Sequence, residues 1–179
     1  MAQQRDLSVL KLESYIRTIP DFPQPGVTFR DLTPLLGDAG ALRTAIHELA
    51  LPFRDARVDV VAGMEARGFI FGALVAWQLG SGFVPLRKPG KLPAEVEAVT
   101  YALEYGTATL EVHRDALGER RRVLLVDDVL ATGGTAAASV DLVSRLGAEL
   151  VGCAFLIELI ALNGRARLPG QRIHTVLRL

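Results

Sequence analysis

A single cysteine stands in 179 residues, so no internal disulfide can form. Cys153 lies in an apolar run and reads as core rather than nucleophile, the usual fate of a free cysteine. Net charge is equally scarce. Lys+Arg and Asp+Glu number 20 each, a formal balance of zero, which disfavours nucleic-acid binding by bulk charge. No stretch is long and apolar enough to span a bilayer. Arg5 and Asp6 interrupt any apolar run of the secretory kind near Met1, so the cytoplasm is the expected compartment. The three histidines, His47, His113 and His174, show neither HxxH nor HExxH spacing and receive no chemistry.

What remains is a globular composition, with 50% hydrophobic and 22% charged residues. A chain of this size fits one domain, 1–179, and buries roughly two-thirds of its unfolded surface without staples. The apolar spacing of Leu7, Leu10, Tyr15 and Ile16 predicts a first helix over Arg5 to Ile19, ended by Pro20, Pro23, Pro25 and Gly26. A second helix is expected over Ala39 to Phe53 and a third over Phe69 to Leu79. Strands are expected at Val58–Gly63, Phe83–Leu86, Val96–Leu103, Thr109–His113, around Val123–Val126, Val151–Leu159 and Ile173–Val176. Strands alternating with helices predict an α/β fold, a mainly parallel sheet flanked by helices. The Arg165–Leu179 tail reads as a terminal loop and an edge strand.

The richest stretch runs from Val123 to Thr135. Four apolar residues lead into Asp127 and Asp128, then into the small loop Ala131-Thr132-Gly133-Gly134-Thr135, then into the Ala-rich helix pattern Ala136 to Leu146. A Gly-rich turn at a helix N-terminus offers backbone N–H groups and a dipole to a phosphate. The loop lacks the Lys of GxxxxGK[ST] and is not GxGxxG. Two carboxylates repel phosphate but accept hydrogen bonds from sugar hydroxyls. The combination predicts a ligand that joins a phosphate to a ribose. Ligands of such sheets bind beyond the strand carboxyl ends, which brings Gly63-Met64-Glu65-Ala66-Arg67-Gly68 to the same rim, with an arginine suited to bidentate phosphate recognition. Arg87-Lys88-Pro89-Gly90-Lys91 adds three cations in five residues, a local anion site or a solvated charged loop.

At Val123–Thr135 the chain resembles the type I phosphoribosyltransferases. The resemblance implies that family's fold, with a twisted sheet and a small N-terminal hood over about residues 1–38. It implies that Ala131, Thr132, Gly133, Gly134 and Thr135 hold the 5′-phosphate of phosphoribosyl pyrophosphate (PRPP), and that Asp127 and Asp128 face the ribose. Ala66, Arg67 and Gly68 would contact pyrophosphate. Arg87, Lys88 and Lys91 would reach it too, often across a homodimer interface. Mg²⁺ would be bound mainly through the substrate, with no protein metal ligands assigned. Asp21–Asp31, Glu65–Phe69, Arg87–Pro93 and Tyr101–Gly106 are similar to the adenine-using branch of that family, in order, over about Ile19 to Leu162. The branch implies adenine held by the Thr28 backbone and the side chains of Phe29 and Arg30, with AMP and pyrophosphate as products. An aliphatic residue is expected at position 28, and this chain has Thr28. Glu104 on residue type alone reads as a solvated strand glutamate; the resemblance makes it the acid/base at the purine ring nitrogen. Two rivals stand beside this expectation: a phosphoribosyltransferase for a 6-oxopurine, and a non-catalytic PRPP or purine sensor of the same fold. A DNA-binding regulator would need a helix-turn-helix or a basic face. No nucleic-acid or membrane partner is expected.

Overall fold

The computed structural model describes residues 11–102 and 106–179. The chain divides into two compact units, Met1–Glu48 and Leu49–Leu179. Among the described residues no helix is long and apolar enough to cross a membrane.

In the first unit the expected helix over Arg5 to Ile19 is not continuous. Its described part is one 3-10 turn, Leu12–Tyr15, followed by strand β1 (Arg17–Ile19). The β-branched Thr18 and Ile19 suit a strand, and Pro20 cannot continue a helix. β1 pairs antiparallel with β2 (Phe29–Asp31), with Arg17 opposite Asp31 and Ile19 opposite Phe29. The proline-rich connection closes on itself: Asp21 Oδ1 accepts from the Gly26 N–H at 2.7 Å, and the Phe22 N–H donates to the Val27 carbonyl at 3.1 Å. Helix α1 (Thr33–Gly37) carries Pro34 in its first turn, where a missing N–H costs nothing. Asp38 then caps α2 (Ala39–Ala50), accepting from the Gly40 and Ala41 N–H groups at 2.9 and 2.8 Å. The helix stops three residues short of the expected Phe53. Pro52 lacks the donor a further turn needs, and Leu51–Phe53 tightens into a 3-10 turn.

The second unit carries β3 (Val60–Met64), α3 (Gly68–Leu79), β4 (Gly82–Leu86), β5 (Val96–Ala102), β6 (Thr107–His113), β7 (Arg122–Leu130), α4 (Gly134–Arg145), β8 (Glu149–Glu158) and β9 (Ile173–Arg178). Five strands form one parallel sheet in the order β4-β3-β7-β8-β9. β5 and β6 make a separate antiparallel hairpin. The apolar runs of β3, β7 and β8 are buried almost throughout, as a sheet covered on both faces requires. Cys153 lies in β8 fully buried, with its thiol pushed up to about 12 by burial alone; it is core. Strand order dictates where the site lies. From β3 the chain crosses through α3 to β4 on one side, and from β7 through α4 to β8 on the other. The reversal leaves a crevice between the carboxyl ends of β3 and β7.

Gly152 shows how tightly β8 is packed. A Cβ there would lie 2.7 Å from the Phe53 ring and 2.9 Å from the Arg172 carbonyl, which already accepts the Cys153 N–H at 2.8 Å. The ring is itself stacked under the Arg172 guanidinium, 4.6 Å from its centroid. Gly152→Ala is therefore expected to destabilise the fold by about 1–3 kcal/mol through overpacking. Urea unfolding measures this, and a midpoint unchanged from the parent would refute the packing argument.

Candidate active site

Two loops meet at the crevice. Strand β7 ends in 131–133, and Gly133 adopts φ +80° as the N-cap of α4, a conformation that a residue with a Cβ resists. The first amides of α4 have no partners within the helix and point out of its N-terminus. The cleft above them is lined by Asp127, residues 129–136 and Phe155. All five predicted phosphate-loop residues, Ala131 to Thr135, are thus brought to one cleft with Asp127.

The two acids behave differently. Asp128 is buried, 6% exposed, and accepts a hydrogen bond from Arg67 Nε. Asp127 accepts the Asp128 N–H at 2.9 Å. Desolvation first, then the neighbouring Asp128 charge, pushes the Asp127 carboxyl well above its ordinary range, with Arg67 opposing. The structure therefore joins the predicted pyrophosphate arginine to one predicted ribose acid. Gly68 permits the junction, because a Cβ there would lie 2.7 Å from Asp127 Oδ1. Ala66 and Arg67 are exposed beside it.

The basic loop is held from below. Glu65 accepts from the Lys88 N–H at 3.1 Å and from Arg87 Nε at 3.2 Å. The Lys88 N–H, more than the Arg87 side chain, keeps the Glu65 carboxyl below its usual range against the cost of desolvation. Arg87 also donates to the Lys91 carbonyl at 3.2 Å, and its guanidinium lies 5.9 Å from the Phe69 ring centroid. The Gly90 N–H donates to Glu111 at 3.1 Å. Arg87 is thus turned inward as a strut, while Lys88 and Lys91 are exposed. Reading the motif as a run of cations missed Glu65 and Glu111, whose long-range pairing no local pattern encodes.

The end of the β5–β6 hairpin reaches the phosphate loop. The hydroxyls of Tyr101 and Thr135 are 3.1 Å apart, and a Cβ on Gly134 would lie 3.4 Å from the Tyr101 ring and 3.5 Å from the Ala102 carbonyl. Tyr101 was part of the recognised segment, but its bond to Thr135 was not anticipated. Glu104 lies outside the described residues. Thr28, Phe29 and Arg30 belong to the first unit. Thr28 is exposed just before β2, and Phe29 meets Phe22 edge-on with centroids 5.2 Å apart. Arg30 donates to Thr18 Oγ1 at 2.6 Å.

Comparison with known proteins agrees with this geometry. The phosphoribosyl transferase domain family model matches residues 36–171. The adenine phosphoribosyltransferase of Methylococcus capsulatus is 65% identical over 167 residues, 93% of this chain and 98% of that protein. The crystal structure of adenine phosphoribosyltransferase from Rhodothermus marinus superposes with a TM-score of 0.89 at 55% identity, covering 94% of this chain and 96% of that one. The Saccharomyces cerevisiae enzyme, crystallised with an imino-altritol bisphosphate and adenine, superposes with a TM-score of 0.88 at 39% identity, covering 93% and 96%. With its cleft, its acid pair and these relatives, the chain belongs to the phosphoribosyltransferase family, in the adenine phosphoribosyltransferase branch.

Proposed function

We propose that this chain transfers the 5-phosphoribosyl group of PRPP to adenine, forming AMP and releasing pyrophosphate. The observation that carries the reading is the phosphate-type loop 131–135 joined to an acid pair at the sheet's switch point. In the reaction an adenine ring nitrogen bonds to the ribose carbon as that carbon's bond to pyrophosphate breaks, and the ring proton must leave. The ribose carbon gains oxocarbenium-like character, as in other glycosyl transfers. Residues 131–135 hold the 5′-phosphate through their amides and the Thr132 and Thr135 hydroxyls, and Asp127 and Asp128 accept from the ribose hydroxyls, which fixes the carbon toward the base. Arg67, with Ala66 and Gly68, and the Arg87, Lys88 and Lys91 loop face the charge developing on the leaving group. Glu104 takes the ring proton. The Thr28 backbone, Phe29 and Arg30 receive the adenine, so that residues 1–179 act as one domain with a hood over about 1–38.

Among the described residues no group of three or more His, Cys, Asp or Glu could hold a metal ion. Mg²⁺ would be carried mainly on PRPP oxygens and waters, with Asp127 and Asp128 the carboxylates at hand to meet those waters. The bound cation would neutralise pyrophosphate charge. A cytoplasmic location fits the single buried cysteine. We further place a second copy of this chain on α3. Ile70, Ala73, Leu74 and Trp77 line one helical stripe, with Ile70 42% and Trp77 81% exposed.

Pyrophosphate release with Mg²⁺ and PRPP, offered adenine, hypoxanthine, guanine or xanthine, is expected with adenine alone. Turnover with a 6-oxopurine would overturn the base assignment and point to Thr28. Binding of PRPP with no turnover would favour the sensor. In the same assay Glu104→Gln is expected to lower turnover about 10²-fold or more with the PRPP KM unchanged.

Asp127 supplies a second test. A carboxyl raised in the folded state costs stability as pH rises from about 3.9, the unfolded value, through the raised one. Asp127→Asn keeps the acceptor for the Asp128 N–H and removes that cost. It should melt above the parent at pH 7.5, by about 2–4 °C for each 1 kcal/mol. The gap should close toward pH 4, while PRPP binding weakens. A lower melting point at pH 7.5 would contradict the assigned strain.

For the α3 surface, sedimentation of the parent as a dimer and of Trp77→Glu as a monomer is expected. An unchanged dimer in the variant would remove α3 from the interface.

A further inference from the structure

The chain beyond β8 packs against the back of the phosphate loop. Glu158 closes β8 opposite Leu130 of β7, and the Leu159 N–H donates to the Leu130 carbonyl at 3.0 Å. Asn163 then takes φ +49° and opens the 3-10 turn Gly164–Arg167. Gly164 is buried against the loop. A Cβ on it would collide with the Ala131 carbonyl and lie 3.1 Å from the Gly133 nitrogen, and a Cβ on Gly133 would collide with the Gly164 carbonyl. Two glycine backbones thus touch directly, and the outer one is part of the turn that carries Arg165.

That turn is tied down by an ion pair. Glu158 is 4% exposed, and its two oxygens accept from Arg165 Nε at 2.7 Å and Arg165 Nη2 at 2.9 Å. Arg165 also reaches Thr175 Oγ1 at 3.1 Å and the Ile173 carbonyl at 3.4 Å, and Thr175 donates to Glu158 at 3.1 Å. Arg178 completes the cluster at 3.4 Å from Glu158, from strand β9 rather than from the turn. Arg165 more than Thr175 holds the Glu158 carboxyl below its usual range. A planar two-bond pair of this kind fixes orientation as well as distance.

We propose that Glu158 and Arg165 are positioning residues for PRPP: through Gly164 they hold the backbone of 131–135 in the shape that receives the 5′-phosphate. Neither side chain lines the cleft. The inference rests on the reading of 131–135 as the phosphate loop. It predicts a selective defect. Variants of the clamp should lose affinity for a 5′-phosphate while keeping turnover once PRPP saturates.

Ribose 5-phosphate is titrated by calorimetry into the parent, Gly164→Ala, Arg165→Ala, Arg165→Lys, Arg178→Ala and Thr135→Val. PRPP and adenine KM values and kcat are measured beside it. Gly164→Ala and Arg165→Ala are expected to weaken ribose 5-phosphate and raise the PRPP KM roughly tenfold, the scale of an unmade bond to a charged group. Adenine KM and kcat should stay within about twofold. Arg165→Lys should recover part of the loss, and Arg178→Ala should match the parent. Equal losses in Arg178→Ala and Arg165→Ala would overturn the proposal, because the cluster would then act only through general stability. Parent-like affinity in Gly164→Ala and Arg165→Ala would also overturn it. Thr135→Val separates the two readings. If it weakens ribose 5-phosphate while the clamp variants do not, only the clamp fails; if it too binds as the parent does, the phosphate loop itself is misassigned.

Discussion

Two adjacent carboxylates at the end of a buried strand are the constraint around which the second unit is arranged. Strand alternation ought to send Asp127 and Asp128 to opposite faces, yet both must be accommodated at the crevice between β3 and β7. Asp128 is accommodated by Arg67, brought in from the neighbouring loop. Asp127 has a backbone amide and the space left by Gly68. Burial and the adjacent Asp128 charge nevertheless outweigh that amide and hold the Asp127 carboxyl well above the ordinary aspartate range. Ribose hydroxyls are the kind of partner that relieves such crowding without adding charge.

Much of this arrangement was legible because it is local. The run from Val123 to Thr135 specifies strand, turn and helix by burial, glycine and periodicity in consecutive residues, and the structure reproduces it as β7, 131–133 and α4. The sheet followed from alternation of strands and helices. Legibility failed where a residue's partner is distant or where two local signals compete. Leu12 to Ile19 carries helical apolar spacing, but pairing of β1 with β2, twelve residues on, overrides it. Pro52 shortened α2 in a way its position announces. Arg87 was read with Lys88 and Lys91 as a local anion site, and only the fold shows Glu65 beneath it, twenty-two residues away. The Arg165–Leu179 tail was legible as a loop and an edge strand, which β9 is, but no local pattern shows Gly164, just before it, meeting Gly133.

Charge is distributed with the same economy in a chain of zero net charge. Of the cations at the rim, Arg67 and Arg87 are tied to carboxylates that orient them, whereas Lys88 and Lys91 extend outward. Guanidinium groups suit the first task, because a planar fork holds a direction. Ammonium groups on flexible stems suit the second, where a polyanion must be met and let go. The division gives the rim two oriented guanidinium groups and two ammonium groups left to move.

The contact between Gly133 and Gly164 has an evolutionary consequence. When a large side chain crowds a neighbour, a second substitution can shrink the neighbour and restore the fit. Here both partners are already as small as the genetic code allows, and the nearest atoms each would strike are backbone, which no substitution can shrink. No compensating change exists at either position. Drift in this protein can redraw the surface and much of the core, but these two sites are locked together, and any redesign of the cleft must begin by leaving them alone.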